Sequence, residues 1–432
     1  MKRLLNRVVR KIAYQKFYTK KNIDYANKFQ YLPSQEIEKI QLEKLKRIVK
    51  IAIDTVPFYM QFRNEINIEE FTLKDLNLFP VIDKNIMREN LEDFVSTKYK
   101  GILSNTSGST GVPFKFYLPF EGAALENINV HRAWNMGEDF CYEFGDPILV
   151  LRSYVPKEGE SITKIDKKRN HWYMSPFHIN KESLQIYIPF IESSRAKLIR
   201  GYASSIYIFT LLLKDNNIKI PQIKAIYTSS EALLPKYREV IEEYWGMKVL
   251  DYYGQNENVV SVQQCWAGNY HNNDDYGIVE IDECKNIIGT SLNNYVMPFI
   301  RYNTLDKAII KNGEPEVCEC GRTLSKPFQG VDGRSDDILI KSDGTHIPTA
   351  NFSTAMKGFK ELKQFQIIQN EDLSIELNLV VNDVSKNYLD KIEYEVIKRL
   401  GDVEVTINKL EEIQRDIKTG KLKVTIQNNK II

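Results

Sequence analysis

Apolar and charged positions repeat with helical spacing through most of the first hundred residues. Between 41 and 62, Leu42, Leu45, Ile48, Val49, Ile51 and Ala52 recur among lysines and arginines, which predicts an amphipathic helix ended by Val56-Pro57. Thr72 offers a second helix start, before Phe79-Pro80, and a third helical stretch covers 120–136. Beyond it the pattern changes. Short apolar runs at 147–152, 197–200, 223–228 and 247–252 read as buried strands, separated by helical patterns at 204–215 and 235–245. Such alternation predicts an α/β sheet whose ligands gather at the carboxyl ends of its strands. Those ends carry Gly201-Tyr202, Ser229-Ser230-Glu231 and Tyr253-Gly254-Gln255-Asn256-Glu257. After Asp274 the strands shorten (276–281, 286–291, 299–302, 308–311), and a Gly/Asp-rich loop at 330–337 introduces a different composition. From 338 onward the pattern predicts a small α+β unit: a hairpin of 364–369 and 374–381, a helix over 385–400, and strands at 404–407 and 421–427. The expected division is therefore a large domain over 1–335 and a small one over 336–432.

Composition narrows the picture. A chain of 432 residues exceeds one ordinary core, and its formal charge of +2 gives no reason to expect a nucleic-acid partner. Charge is nonetheless uneven: eight Lys or Arg and no acid fall between Lys2 and Lys21, interleaved with Leu4, Leu5, Val8, Val9 and Ile12. This segment lacks the apolar core of a signal peptide and reads as a helix packing one face on its own domain. Peripheral contact with an anionic membrane surface is the lesser alternative. The longest apolar stretch, 206–213, suits a buried element rather than a membrane span. Five cysteines without a secretory signal point to a reducing cytoplasm.

The chemistry is concentrated in one loop, Thr106-Ser107-Gly108-Ser109-Thr110-Gly111, with Lys115 just beyond it. Glycines let backbone N–H groups turn inward and hydroxyls add donors, so the loop can wrap polyphosphate oxygens beside a lysine charge. It is not a P-loop, because no Lys follows Gly111 directly. Four further polar clusters follow in order: Tyr253 to Glu257, Arg301-Tyr302-Asn303-Thr304-Leu305-Asp306, Gly333-Arg334-Ser335-Asp336-Asp337 and Thr419-Gly420-Lys421.

From about residue 40 to the end, this ordered series resembles the adenylate-forming superfamily of acyl-coenzyme A synthetases. The nearest branch is that of the phenylacetate–coenzyme A ligases and their relatives from capsular polysaccharide clusters. Val56-Pro57-Phe58-Tyr59, Arg200-Gly201-Tyr202-Ala203-Ser204 and Cys318-Glu319-Cys320-Gly321-Arg322 add to the likeness. The resemblance implies a large multi-sheet N-terminal domain and a small mobile C-terminal domain turning near Asp336. It also implies ATP and Mg²⁺ as cofactors, and a carboxylic acid activated as its adenylate. The acyl group then passes to coenzyme A, a carrier thiol or an amino-sugar acceptor.

By the same resemblance the loop 106–111 meets the β- and γ-phosphates, and Glu257 holds Mg²⁺. Tyr253 and Gly254 lie at the adenine with Ser230 and Glu231, and Asp306 accepts from the ribose hydroxyls. Arg334 reaches the ribose or α-phosphate, and Lys421 approaches the attacking carboxylate. Tyr202 reads equally as an acyl-pocket residue or a packed core tyrosine.

Two departures from the family pattern, Asn256 for Thr or Ser and Leu305 for Gly, motivate a rival reading: a catalytically silent binding or scaffolding member. A second constellation, Cys265, His271, Cys318 and Cys320, has the ligand types of a structural Zn²⁺ site or of reduced structural thiols. Cys141 and Cys284 read as ordinary buried thiols.

Overall fold

The computed structural model describes residues 2–106, 114–135, 140–231, 233, 235–310, 318–322, 328–332, 338–341, 343–348, 352, 355–356, 358–359, 361–381, 383–411, 413 and 424–428. The chain resolves into two compact units. One comprises Met1–Asn105, Lys115–Phe144 and Leu250–Gly333; the other comprises Thr106–Phe114, Gly145–Val249 and Arg334–Ile432. The turning point expected near Asp336 lies outside the described residues.

The first unit opens with helices Lys2–Phe17, Lys20–Phe29 and Ser34–Thr55. Val56, extended, ends the third as its Pro57 requires. Thr72 and Asp75 form a reciprocal capping box around the short helix Leu73–Leu78. None of the described side chains of Lys2–Phe17 is buried, and Val8 and Ile12 are exposed. No helix among the described residues is long and apolar enough to cross a membrane.

Strands Ile102–Asn105 and Lys115–Leu118 pair antiparallel and so flank the Ser/Thr/Gly loop with a hairpin. Helix Gly122–Ala133 follows, shorter than the sequence pattern predicted. An antiparallel sheet then runs in the order Gly277–Ile281, Asn286–Ser291, Tyr302–Ile310, Phe328–Asp332. The two strands expected at 299–302 and 308–311 are one strand, Tyr302–Ile310, bent by a bulge.

In the second unit, Ala225–Ser229, Leu198–Gly201, Ile148–Leu151 and His171–Met174 lie side by side and parallel, with Thr163–Asp166 antiparallel at the edge. All four residues of Ile148–Leu151 are buried, as a strand covered on both faces demands. Helices Leu184–Ser194, Ala203–Asp215 and Pro235–Trp245 supply the cover, and Ile199, Ile206, Phe209, Ile226 and Ile241 meet in one core. The hairpin Thr163–Asp166/His171–Met174 is absent from the sequence expectation. Its residues are mostly half-exposed, so no apolar alternation marks them, and Asn170 makes the turn at φ 54°.

The C-terminal residues form a mixed sheet in the order Val405–Lys409, Ile375–Val381, Leu362–Gln369, Thr425–Gln427, backed by helix Lys386–Leu400 with Ser385 as its cap. The predicted hairpin and helix are therefore present. Phe177 enters this sheet's core beside Leu339, Phe352, Ile367 and Val396. The fold is the mixed α/β, multi-sheet architecture with a small C-terminal α+β sheet that the resemblance implied.

Burial also leaves an acid-sensitive element. The imidazole of His131 is 1% exposed, packed edge-on to Tyr142 at 4.5 Å, and burial depresses its pKa from 6.5 to about 4. Above pH 6.5 both folded and unfolded chains carry it neutral. Between pH 6.5 and about 4 the unfolded chain takes up a proton that the folded one refuses, so stability falls over that window and no further below it. This one group removes about 3 kcal/mol. Urea titrations of wild type and His131→Phe at pH 7 and pH 4.5 check it: the variant loses less stability across the interval, whereas equal losses contradict the assignment.

Candidate functional site

The site is built around a bulge. Asn286 pairs with Lys307 and Ile288 with Asn303, so a single residue, Ile287, faces Thr304, Leu305 and Asp306. Leu305 takes the excess at φ 64°, the left-handed region that favours glycine. The bulge is held by its own polar groups. Thr304 Oγ1 donates to Ile287 O (2.9 Å), Leu305 N donates to Asn303 Oδ1 (2.9 Å), and Asp306 N donates to Thr304 Oγ1 (3.2 Å). Its start is fixed by Arg301, paired with Glu280 at 3.1 Å and donating to Phe79 O at 3.0 Å. The departure at Leu305 thus keeps the backbone that a glycine would serve.

The bulge aims Asp306 at Tyr253. The Tyr253 hydroxyl donates to Asp306 Oδ2 at 3.0 Å and approaches Thr304 Oγ1 at 3.3 Å. Burial, and then the Asp306 charge, push the phenol's pKa well above its usual value, so Tyr253 remains a donor. Gly254 ends the strand Val249–Gly254, and a Cβ there would stand 3.1 Å from the Tyr252 ring. Glu257 is 7% exposed and accepts from the Tyr302 hydroxyl at 3.1 Å. Burial raises its pKa, the Tyr302 hydrogen bond opposing, so the charged carboxylate lacks full compensation. Asn256, the other departure, is exposed beside it. Tyr302 and Thr304 were not among the sequence candidates. Their signal was the alternation Tyr302, Thr304, Asp306 on a strand, which the bulge turns into one set of partners.

Behind this set lies a buried polar layer. Arg132 forks onto both oxygens of Asp275 (2.8 and 2.9 Å) and onto Asn273, while Glu126 receives the hydroxyls of Tyr252 and Tyr276. Burial works against the Asp275 charge, but Arg132 outweighs it and the carboxyl lies below its usual pKa. This layer carried no motif.

The other expected residues fall elsewhere. Thr106 closes the base of the loop, with its N–H on Phe114 O (2.9 Å) and its Oγ1 receiving Phe114 N–H (3.0 Å); Lys115 is exposed. Ser107, Gly108, Ser109, Thr110, Gly111, Arg334 and Lys421 lie outside the described residues. Ser230 is exposed at φ 73°, and Glu231 beside it is half-buried, both following strand Ala225–Ser229.

The thiol cluster does assemble. The ligand atoms of Cys265, His271, Cys318 and Cys320 all lie within 4.8 Å of one another. Two matching turns present the sulfurs. Gly268 and Gly321 stand at φ 84° and 83°, each donating its N–H at 2.8 Å to the carbonyl of the cysteine three residues before it. Hydrogen bonds from Cys320 and then His271 favour the Cys265 thiolate against its burial. This donor set suits tetrahedral Zn²⁺. Cys141 and Cys284, expected to be buried, are exposed: Cys284 sits in the turn between strands Gly277–Ile281 and Asn286–Ser291, and Cys141 in the segment between helix Gly122–Ala133 and strand Ile148–Leu151.

Accessible thiols should therefore divide into classes. Native protein treated with Ellman's reagent reacts fast at Cys141 and Cys284, and the Cys141→Ser/Cys284→Ser variant loses the fast phase. A fast phase that survives the double substitution contradicts the burial of Cys265 and Cys318.

Residues 339–428 match the CapK C-terminal domain. The chain is 23% identical over 385 residues to Protein CapK of Staphylococcus aureus, spanning 85% of this chain and 84% of that one. It is 21% identical over 440 aligned positions to the phenylacetate-coenzyme A ligase of Thermus thermophilus, spanning 93% and 95%. Among solved structures, 2-hydroxyisobutyryl-CoA ligase in complex with 2-HIB-AMP and CoA superposes with a TM-score of 0.58 at 19% identity, covering 92% of this chain and 91% of that one. The same enzyme in its postadenylation state gives 0.55 at 17% identity. Two relatives matched over more than four-fifths of the chain, a shared fold and the ordered polar clusters agree: the chain is similar to the adenylate-forming superfamily, and the likeness is to CapK and the phenylacetate–coenzyme A ligases within it.

Proposed function

We propose that this protein is an AMP-forming carboxylic-acid ligase that makes an acyl-adenylate and passes the acyl group to a thiol. The observation that carries the reading is the bulge that brings Asp306 and Tyr253 together one strand-end away from Glu257. Asp306, an acceptor-only carboxylate oriented by Tyr253, receives the ribose hydroxyls. Tyr253 and Gly254 border the adenine, with Ser230 and Glu231 on the same base. Glu257 would hold Mg²⁺, and its fit is physical: a buried carboxylate whose charge is disfavoured regains it beside a cation. When bound, the ion offsets phosphate charge.

In the first step a carboxylate oxygen of the acid attacks the α-phosphorus. The new P–O bond forms as the bond to the bridging oxygen breaks, and pyrophosphate leaves. The loop 106–111 with Lys115 holds its oxygens, Arg334 the α-phosphate or ribose, and Lys421 the attacking carboxylate. In the second step a thiol sulfur adds to the acyl carbon and AMP departs. Rotation of 336–432 about Asp336 withdraws Lys421 between the steps. Coenzyme A is the acceptor we favour, supported by the names of the ligases this chain is similar to. The likeness to capsular-polysaccharide relatives supports a role in cell-surface polysaccharide assembly. The silent-scaffold reading loses its motive, since Leu305 keeps the left-handed backbone and Asn256 points to solvent.

Acid-dependent pyrophosphate release from MgATP over a panel of aromatic, amino and short aliphatic acids tests this. Lys421→Ala and Asp306→Ala should each lower the rate on the order of 10²-fold or more. Release from no acid, with no ATP binding, overturns the reading.

Cys265, His271, Cys318 and Cys320 hold one structural Zn²⁺ in this proposal, supported by their convergence within 4.8 Å. Elemental analysis of purified protein should give about one zinc per chain, lost in Cys318→Ala together with thermal stability. Metal-free protein with an undiminished melting temperature refutes it.

A further inference from the structure

Within the second unit, three neighbouring parallel strands end at the same level. Leu151 pairs with Gly201 and Gly201 with Thr228, so the next residues, Arg152, Tyr202 and Ser229, stand side by side at the carboxyl edge. Gly201 permits this closeness, since a Cβ there would be 2.7 Å from the Leu151 carbonyl oxygen. Arg152 Nη1 donates to Ser229 Oγ at 2.7 Å, and its guanidinium lies 5.1 Å from the centre of the Tyr202 ring. The Tyr202 hydroxyl shares a 2.7 Å hydrogen bond with Ser153 Oγ. Arg152 is half-buried, and its partners are a hydroxyl and an aromatic face; it has no carboxylate partner among the described residues.

A guanidinium cannot shed its charge, and one of its five N–H donors is spent on Ser229. The rest form a planar fork, pinned by ring and hydroxyl at the edge where α/β sheets receive ligands. The adenylate itself needs no such group here, because the phosphates and ribose are assigned to the loop 106–111, Lys115 and Asp306. From this placement we infer that Arg152 reads a second carboxylate on the acid, and that the substrates are dicarboxylic acids activated at one end. This deepens the ligase reading and rests on it.

The experiment compares succinate and glutarate with their monomethyl esters, which keep the carbon chain and one carboxylate, add one methyl group and lose the second charge. In wild type, kcat/KM for pyrophosphate release should favour the diacid by about 30-fold or more, the range of a charge-assisted hydrogen-bonded pair. In Arg152→Gln the ratio should fall to near unity, and Arg152→Lys should restore part of it, which a folding defect would not do. Calorimetry of succinate without ATP reads the same contact independently of the chemistry and should lose its signal in Arg152→Gln. A wild type that prefers the monoesters, or an Arg152→Gln variant that lowers both members of each pair equally, overturns the assignment while leaving adenylation standing. Arg152-dependent succinate binding with no pyrophosphate release from any acid upholds the assignment of Arg152 and refutes the ligase reading instead.

Discussion

Three residues facing one across a pair of antiparallel strands is the constraint on which the site depends. Without the excess at Thr304, Leu305 and Asp306, strict alternation along Tyr302–Ile310 would fix each side chain to one face of the sheet. The bulge instead lets Asp306 reach Tyr253 while Tyr302 reaches Glu257. A bulge of this kind costs ladder hydrogen bonds, and here three local ones replace them, two through Thr304 Oγ1 and one through Asn303. A leucine held at φ 64° adds strain of roughly 1 kcal/mol. The surrounding sheet tolerates it because Arg301 is anchored from below by Glu280 and Phe79, and Ile82 pairs alongside Tyr302.

The same unit carries its polar burden in pairs. Arg132 with Asp275, Glu126 with two tyrosines, and the four-residue thiol–imidazole cluster each bury charge or its equivalent against a matched partner. Removing one member of such a pair strands the other, so these groups fix the positions of helix Gly122–Ala133 and of the strands behind the site. In the second unit the organising device differs. Close-packed parallel strands, with Gly201 allowing the approach, deliver Arg152, Tyr202 and Ser229 to one edge, and among the described residues no ion pair holds them there.

Much of this was legible in the sequence wherever one physical signal dominated. The apolar run 147–152 and the helical pattern over 385–400 gave elements close to their observed positions, Ile148–Leu151 and Lys386–Leu400. The order of polar clusters gave the fold class and the resemblance, and the Cys and His residues that converge were singled out together. What escaped was set by tertiary context. The bulge has no local signature because its left-handed residue is leucine, which reads as a strand residue. Tyr302 and Arg132 were not among the candidate site residues, and their roles appear only with Glu257 and Asp275 beside them. Cys141 and Cys284 carry apolar side chains, and only the placement of their loops exposes them. In the sequence Arg152 is the last residue of the predicted buried run 147–152; the strand ends at Leu151, and the neighbours that hold Arg152 come from two other strands.

The central claim is that the Tyr253–Asp306 pair is a ribose-reading carboxylate shaped by the bulge. Calorimetric comparison of MgATP with its 2′-deoxy counterpart tests this most directly, since the analogue lacks one of the two ribose hydroxyls proposed to meet Asp306. The account predicts that the deoxynucleotide binds about 10-fold more weakly or worse, and that Asp306→Ala abolishes the difference. Equal affinity for the two nucleotides in the wild-type protein would contradict it.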